Sequence, residues 1–255
     1  MIKIENVEVS GFSAAVRGMR NPMNSWDKQD STYIFDSNDS GLEVIYVFGP
    51  NDLNLAKKLC KAGPEHRKFL RMIHVQMDVT APLYWWKEFD TYKVSTVANS
   101  CSTMHKIHSK EFGFEDFSCE HLIGFEFPSD VDENNIYEYL DKEAPCYIII
   151  GTDKDDQPFS PLGILRTTIQ MLNRCRDLYL KTKDKKYWWQ MIQLLPSSYN
   201  QKRTLDFSYE TAATIIRQRS GHKLDEWHVF VDTLRKLPYM KEFMEGETED
   251  VEHES

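Results

Sequence analysis

The sequence lacks an apolar run long enough to cross a bilayer, since a membrane-spanning helix needs about 18–20 consecutive, mostly apolar residues. Its first residues, MIKIENVEVSG, lack the apolar stretch of a secretory signal peptide. A glycine-rich phosphate loop of the P-loop or dinucleotide-binding type is also missing. These absences predict a cytoplasmic protein with no membrane partner, and they exclude the commonest sequence signatures of nucleotide binding.

Cysteine is scarce, and the five cysteines are too scattered to predict a disulfide framework. The paired C-x-x-C spacing of structural zinc sites is absent, so we expect no metal. Cys101, His105 and His108 nevertheless have a spacing that puts all three on one side of a helix. Cys119 and His121 could complete a zinc site. A zinc site and a Cys101–His105 nucleophile pair therefore remain open as alternatives.

Positive charge is in deficit. The chain has 31 Lys and Arg against 40 Asp and Glu, a formal net charge of -9. This balance argues against non-specific nucleic-acid binding, which depends on cations meeting phosphates. A local cluster of donors could still bind a small anion. A hydrophobic content of 41% predicts a packed fold, which we assign to one domain over 1–244. The last residues, 245–255, are predicted to be an acidic flexible tail.

Apolar periodicity predicts several long helices and few strands, which indicates an α+β fold. The predicted helices cover 52–62, 83–92, 134–143, 160–183, 185–195, 211–220 and 224–237. The predicted strands cover 72–80 and 203–207, and residues 146–151 are a strand or a buried helical turn. Residues 21–41 are dense in Asn, Asp and Ser and predict a long loop. We expect Asn51 or Asp52 to cap the first of these helices.

A small, hydroxyl-rich segment, KEFDTYKVSTVANSCSTMHKI at 87–107, follows an aromatic run. It has two interpretations: the wall of a ligand cavity, or a Ser/Thr-rich edge strand or turn that binds nothing. The aromatic pairs Trp85–Trp86 and Trp188–Trp189 could stack on bases. On amphipathic helices, however, such pairs are typical of core.

Residues 72–103 resemble the signature region of the flavin-dependent thymidylate synthases. Val79, Ala81 and Pro82 match the family's V-x-A-P, and KEF at 87–89 lies where the family often has R-Q-W. Other matching segments are GFSAAVRGMR at 11–20, LLP at 194–196 and TIIRQRSGHKLDEW at 214–227. The resemblance implies long helices packed on a small, mostly antiparallel sheet, the thymidylate synthase-complementing-protein-like fold.

The family's motif R-H-R-x-x-S-x-x-x-x-S-x-R is altered in this chain. Aligned from Ala81–Pro82, its specified positions become Thr91, Tyr92, Lys93, Thr96, Cys101 and Thr103. The resemblance implies that Tyr92, Lys93 and Thr96 bind an FAD cofactor. It also implies that Cys101, Thr103 and Arg219 bind substrate, and Cys101 is the residue we predict to be catalytic.

The arginines outside this motif each have two interpretations. Arg219 survives at the end of a helix, where it could instead interact with terminal carbonyls. Arg17 and Arg20 lie in the matching N-terminal segment and could reach the site, or could be ordinary surface cations.

The resemblance implies an enzyme, a divergent flavin-dependent thymidylate synthase-like protein that methylates dUMP or a related pyrimidine nucleotide. Such an enzyme uses FAD, NADPH and a folate one-carbon donor, and assembles as a homotetramer with sites shared between chains. The alternative is a catalytically inactive homologue that acts as a nucleotide-binding or structural protein. The missing arginines favour this alternative, because an ammonium cannot reproduce the bidentate contacts of a guanidinium.

Overall fold

The computed structural model describes residues 2–38, 41–124 and 160–245. The predictions for 134–143, for 146–151 and for the tail beyond residue 245 lie outside these residues. The chain divides into two compact units. The sheet unit consists of Ile2–Thr80, Trp85–Ser100 and Lys202–Ser255. The helix unit consists of Ala81–Tyr84 and Cys101–Gln201. The single domain over 1–244 stays a prediction.

The strands form a four-stranded sheet and a separate hairpin. They are β1 (Lys3–Ser10), β2 (Thr32–Asn38), β3 (Gly41–Val47), β4 (His74–Pro82), β5 (Thr96–Ser100) and β6 (Asn200–Ser208). The sheet has the order β1-β4-β6-β5, and β2 pairs with β3. The pairs β1–β4, β5–β6 and β2–β3 are antiparallel.

The described helices reproduce the periodicity of the sequence. They are α1 (Phe12–Arg20), α2 (Pro50–Lys61), α3 (Leu83–Phe89), α4 (Pro161–Thr182), α5 (Lys185–Leu194), α6 (Tyr209–Arg219), α7 (Asp225–Arg235) and α8 (Met240–Met244). Each helix predicted within the described residues is confirmed, with ends shifted by three residues or fewer. The α+β class with a small antiparallel sheet is confirmed. None of the helices described is long and apolar enough to span a membrane.

β4 follows from its alternating sequence. Val75, Met77 and Val79 are buried, while the polar residues that alternate with them, such as His74 and Asp78, are only partly buried. A period of two places alternate side chains on opposite faces of a sheet. The strand predicted at 72–80 is therefore confirmed, with its apolar face in the core.

The long loop predicted at 21–41 is wrong for its second half, which forms β2. Tyr33 pairs with Tyr46, and Phe35 pairs with Val44. The rings of Tyr33 and Tyr46 lie 4.9 Å apart, edge to face. Aromatic and β-branched residues fit a pleated surface, and this preference at 33–35 outweighs the neighbouring Asn, Asp and Ser.

A buried ion pair joins α1 to α2. Arg20 Nε donates to Asp52 Oδ1 at 2.8 Å, and the two side chains are 5% and 0% exposed. Asp52 Oδ2 accepts from the amides of Asp30 and Ser31 at 3.0 and 2.9 Å. Burial alone would raise the pKa of Asp52, but hydrogen bonds from Ser31, Asp30 and Arg20 outweigh it and hold this pKa below its usual value.

This pair corrects two expectations. Asp52 does not cap α2, whose N-cap is Gly49. The carboxylate of Asp30 accepts from the amides of Asn51 and Asp52 instead, at 2.8 and 3.0 Å. Arg20 is a buried structural cation rather than an ordinary surface one. Its charge is compensated by Asp52, so it stabilises the segment between β1 and β2.

The sheet unit has an aromatic core. Trp85, Trp86 and Trp227 are at most 1% exposed, and the rings of Trp85 and Trp227 lie 4.7 Å apart. Phe89 and Phe230 pack against Trp85 with ring centroids 5.2 Å away. Core is therefore the correct interpretation of Trp85–Trp86.

The helix unit packs α4 and α5 around its own core. The buried residues are Ile107, Phe112, Phe117, Leu165, Ile169, Leu172, Cys175 and Met191. Ser160 caps α4, since its hydroxyl accepts from the amide of Gly163 at 3.0 Å. Trp188 packs against this core, whereas Trp189 is 43% exposed. The core interpretation of this second pair therefore holds for Trp188 alone.

Candidate functional site

The hydroxyl-rich segment divides into a turn and a strand. Residues 91–95 lie between α3 and β5, and β5 begins at Thr96, which pairs with Phe207. β5 is an edge strand of the sheet. Thr96–Ser100 therefore form an edge strand, as the second interpretation expects, whereas residues 91–95 form a turn.

That turn lines a cavity of about 300 Å³ at the first residues of α6. The lining residues are Arg71, Thr91, Tyr92, Lys93, Val94, Ser95, Ser208, Glu210, Thr211 and Thr214. The cavity therefore contains Tyr92 and Lys93, two of the predicted cofactor-binding residues. In the described part of the chain, Thr96 and Arg219 are not among the residues that line it.

Backbone and hydroxyl contacts hold the turn against α6. The Thr211 hydroxyl donates to the carbonyl of Val94 at 3.0 Å. Ser208 caps α6, because its hydroxyl accepts from the amide of Thr211 at 3.3 Å. The Thr91 hydroxyl donates to the carbonyl of Glu88 at 2.7 Å. The turn is thus tied to α3 at its start and to α6 near its end.

The cavity carries positive charge in a chain of net negative charge. Arg71 Nε donates to Glu210 Oε2, and this bond raises the pKa of Arg71. Arg67 Nε lies 3.8 Å from the other carboxylate oxygen of Glu210. Lys93 is exposed and forms no ion pair with any residue that the structure describes. The cavity lining therefore holds two cations, Arg71 and Lys93, against one carboxylate, Glu210, a balance that suits an anionic ligand.

Arg219 lies in a cluster of side chains rather than in the cavity wall. Its Nη1 donates to Glu88 Oε2 at 2.8 Å, and its Nε donates to the hydroxyl of Tyr92 at 2.9 Å. Its guanidinium lies over the Trp227 ring, 4.7 Å from the centroid. The alternative of contacts with terminal carbonyls is not what is observed, because these partners are side chains.

Glu88 is the centre of this cluster. Besides Arg219, its Oε2 accepts from Trp227 Nε1 at 3.0 Å and lies 3.1 Å from His222 Nε2. The amide of Leu224 donates to His222 Nδ1 at 3.1 Å, so Nε2 is the ring nitrogen that lies beside Glu88. Sequence reasoning gave Glu88 no role. The available signal was an acidic residue where the family often has Gln.

Cys101 and Thr103 lie in the helix unit. Cys101 is exposed, and its carbonyl accepts from Gln201 Nε2 at 2.6 Å. No hydrogen bond joins the Cys101 thiol to His105 among the described contacts, which leaves the nucleophile-pair alternative without structural support. The described ranges contain no group of three His, Cys, Asp or Glu side chains placed to hold a metal ion.

Solved structures similar to this one identify the fold. Two structures of the flavin-dependent thymidylate synthase ThyX from Helicobacter pylori, both with FAD and dUMP, match with TM-scores of 0.56 and 0.55. They cover 96% and 95% of this chain and 97% of their own chains. The chain has the fold of the flavin-dependent thymidylate synthases.

A UMP/dUMP methylase, PolB from Streptomyces cacaoi, bound with 5-Br UMP, matches with a TM-score of 0.52 over 96% of this chain and 94% of that chain. Sequence identity is 14% to PolB and 12–13% to the two synthase structures, so these likenesses establish the fold alone. No protein-family model and no curated protein matches the sequence.

Proposed function

We propose that this protein binds a pyrimidine nucleoside monophosphate, dUMP or UMP, in the cavity at the first residues of α6. The observation that carries the proposal is the cavity itself, which is lined by the turn 91–95 of the altered signature. Lys93 in this turn forms no ion pair with any residue that the structure describes. Its volume of about 300 Å³ is at the lower end of the range for small-molecule pockets, roughly 300–1,000 Å³. The fold neighbours crystallised with dUMP or 5-Br UMP support the same ligand class.

Each proposed contact follows from the chemistry of the lining. Lys93 binds the phosphate, because it is the cation whose charge is not already compensated by Glu210. The hydroxyl of Ser95 is available to the sugar or the base, whereas the hydroxyl of Thr214 already donates to the carbonyl of Glu210 and accepts from Arg217 Nη2. Thr96, Cys101, Thr103 and Arg219 stay predicted ligand-binding residues, and the catalytic role of Cys101 stays a prediction. These four do not line the cavity described in the sheet unit.

FAD as a whole does not fit this cavity. The cofactor joins two nucleotide-sized halves through a diphosphate, and therefore needs about twice the space of a mononucleotide and more anion donors. Among the described lining residues only Lys93 offers an uncompensated charge, because Arg71 is paired with Glu210. The homotetramer, with sites shared between chains, stays a prediction, as do folate and NADPH.

Methylation of the nucleotide is the second candidate function, because the ThyX neighbours were crystallised with FAD and dUMP. It predicts that the purified protein, or the protein after incubation with FAD, shows flavin absorbance in the visible spectrum at close to one equivalent per chain. A colourless protein whose spectrum stays that of free FAD after the addition contradicts this candidate.

Nucleotide binding is tested by calorimetric titration of dUMP into the full-length protein. We expect saturable binding that Lys93→Ala weakens by about 10–100-fold, the usual loss when one hydrogen bond to a charged group is removed. Lys87→Ala is the matched control, because it removes the same charge from an exposed position in the last turn of α3. The absence of binding, or equal losses in the two variants, would contradict the proposal.

A further inference from the structure

We infer that Glu88 and Arg219 are positioning residues that hold Tyr92 as a fixed wall of the cavity, against which the pyrimidine base stacks. In this inference Arg219 acts through Tyr92 and does not bind the phosphate, which replaces the substrate-binding role that the resemblance implies for it. This inference rests on the proposed function, because it names the part of the nucleotide that meets each side of the cavity. It is carried by the contacts of three side chains.

The charge of the Arg219 guanidinium is already compensated within the fold. Glu88 neutralises its charge at 2.8 Å, the Trp227 ring covers one of its faces, and Tyr92 takes its Nε proton. The side chain is only 19% exposed. A phosphate on Arg219 would bring a second anion to a partly buried guanidinium whose charge Glu88 already neutralises.

The hydroxyl of Tyr92 is held from two sides. It accepts from Arg219 Nε at 2.9 Å and donates to Gln218 Oε1 at 3.0 Å. Because Tyr92 also lines the cavity, the group that it still offers to a ligand is its ring. A flat, fixed aromatic face is suited to stacking on a base, whereas the adjacent Lys93 supplies charge.

Glu88 joins three residues of the α6–α7 region to α3. Its Oε2 receives hydrogen bonds from Arg219 at the end of α6 and from Trp227 in α7, and it lies 3.1 Å from His222 Nε2, between those helices. This carboxylate therefore fixes Arg219 relative to α3, the helix that precedes Tyr92. If Glu88 loses its charge, Arg219 loses the partner that orients it.

The test compares deoxyuridine with dUMP, two ligands that differ only in the phosphate. We expect Arg219→Lys to weaken the binding of both ligands by the same factor, about tenfold, because the damage is to the stacking wall. Lys93→Ala is the contrasting variant and weakens only dUMP. A loss confined to dUMP in Arg219→Lys would overturn the inference, since it would show direct contact with the phosphate.

A readout without ligand separates this inference from the proposed function. The protein is labelled with 3-fluorotyrosine, and the fluorine resonance of Tyr92 is assigned by its disappearance in Tyr92→Phe. We expect Glu88→Gln, checked for folding by circular dichroism, to shift or broaden that resonance. An unchanged resonance would overturn the positioning roles. If the wild type binds neither ligand, the proposed function and the stacking fail together, and the fluorine spectrum still decides whether Glu88 positions Tyr92.

Discussion

Replacing Asp52 by alanine is expected to destabilise the protein by about 3–5 kcal/mol, the usual cost of removing one partner of a buried ion pair. The reason is that Arg20, whose side chain is 5% exposed, would keep its charge without a carboxylate. The amides of Asp30 and Ser31 would also lose their acceptor. Chemical denaturation monitored by circular dichroism measures the loss.

The matched control is Lys57→Ala, which breaks an exposed ion pair of the same unit. Lys57 Nζ lies 2.8 Å from Glu245 Oε2, and the two side chains are 38% and 48% exposed. Such pairs contribute about 0–1 kcal/mol. Equal effects of Asp52→Ala and Lys57→Ala would show that the buried pair does not stabilise the fold.

The same pair gives stability a pH dependence. The folded-state pKa of Asp52 is held below its unfolded value of about 3.8, so its contribution is complete above that value. It is lost as the pH falls through the lower folded pKa, because the folded carboxylate must then be protonated. The difference in unfolding free energy between wild type and Asp52→Ala is expected to shrink only in that acid window.

Leu172→Ala is the second large expected effect, and it concerns the helix unit. Leu172 is 0% exposed in the core between α4 and α5, so truncation loses its burial and leaves a cavity. Such substitutions cost about 2–5 kcal/mol. Urea unfolding followed by tryptophan fluorescence measures the change.

Ile164→Ala is the control for that substitution, because it removes the same number of carbons from the same helix. Ile164 is 48% exposed, and surface substitutions are usually within about 0.5 kcal/mol. Comparable destabilisation by the two variants would contradict the assignment of Leu172 to the core.

Elements with a strong local signal could be predicted from the sequence. In β4, four buried apolar residues alternate with partly buried polar ones. α4 begins with Ser160 as its N-cap and Pro161 as its first residue, and a long apolar stripe follows. β2 was mistaken for a loop because its polar neighbours dominated the composition. Its pairing with β3 depends on cross-strand contacts, which no single window of sequence contains.

The candidate site was predictable only where one short segment builds it. Tyr92 and Lys93 were found because the signature positions fall on the turn that lines the cavity. Glu88 was missed because its partner Arg219 is 131 residues away, and Glu210 was missed because its partner Arg71 is 139 residues away. Such pairs are created by the fold, and the individual residue types carry no signal of them.

Crystals of the full-length protein grown with dUMP test the central claim most directly. We predict density for one nucleotide in the cavity at the first residues of α6, with its phosphate beside Lys93 Nζ and its base stacked on the ring of Tyr92. A nucleotide bound away from both residues, or a cavity that remains filled by solvent at saturating dUMP, would contradict it.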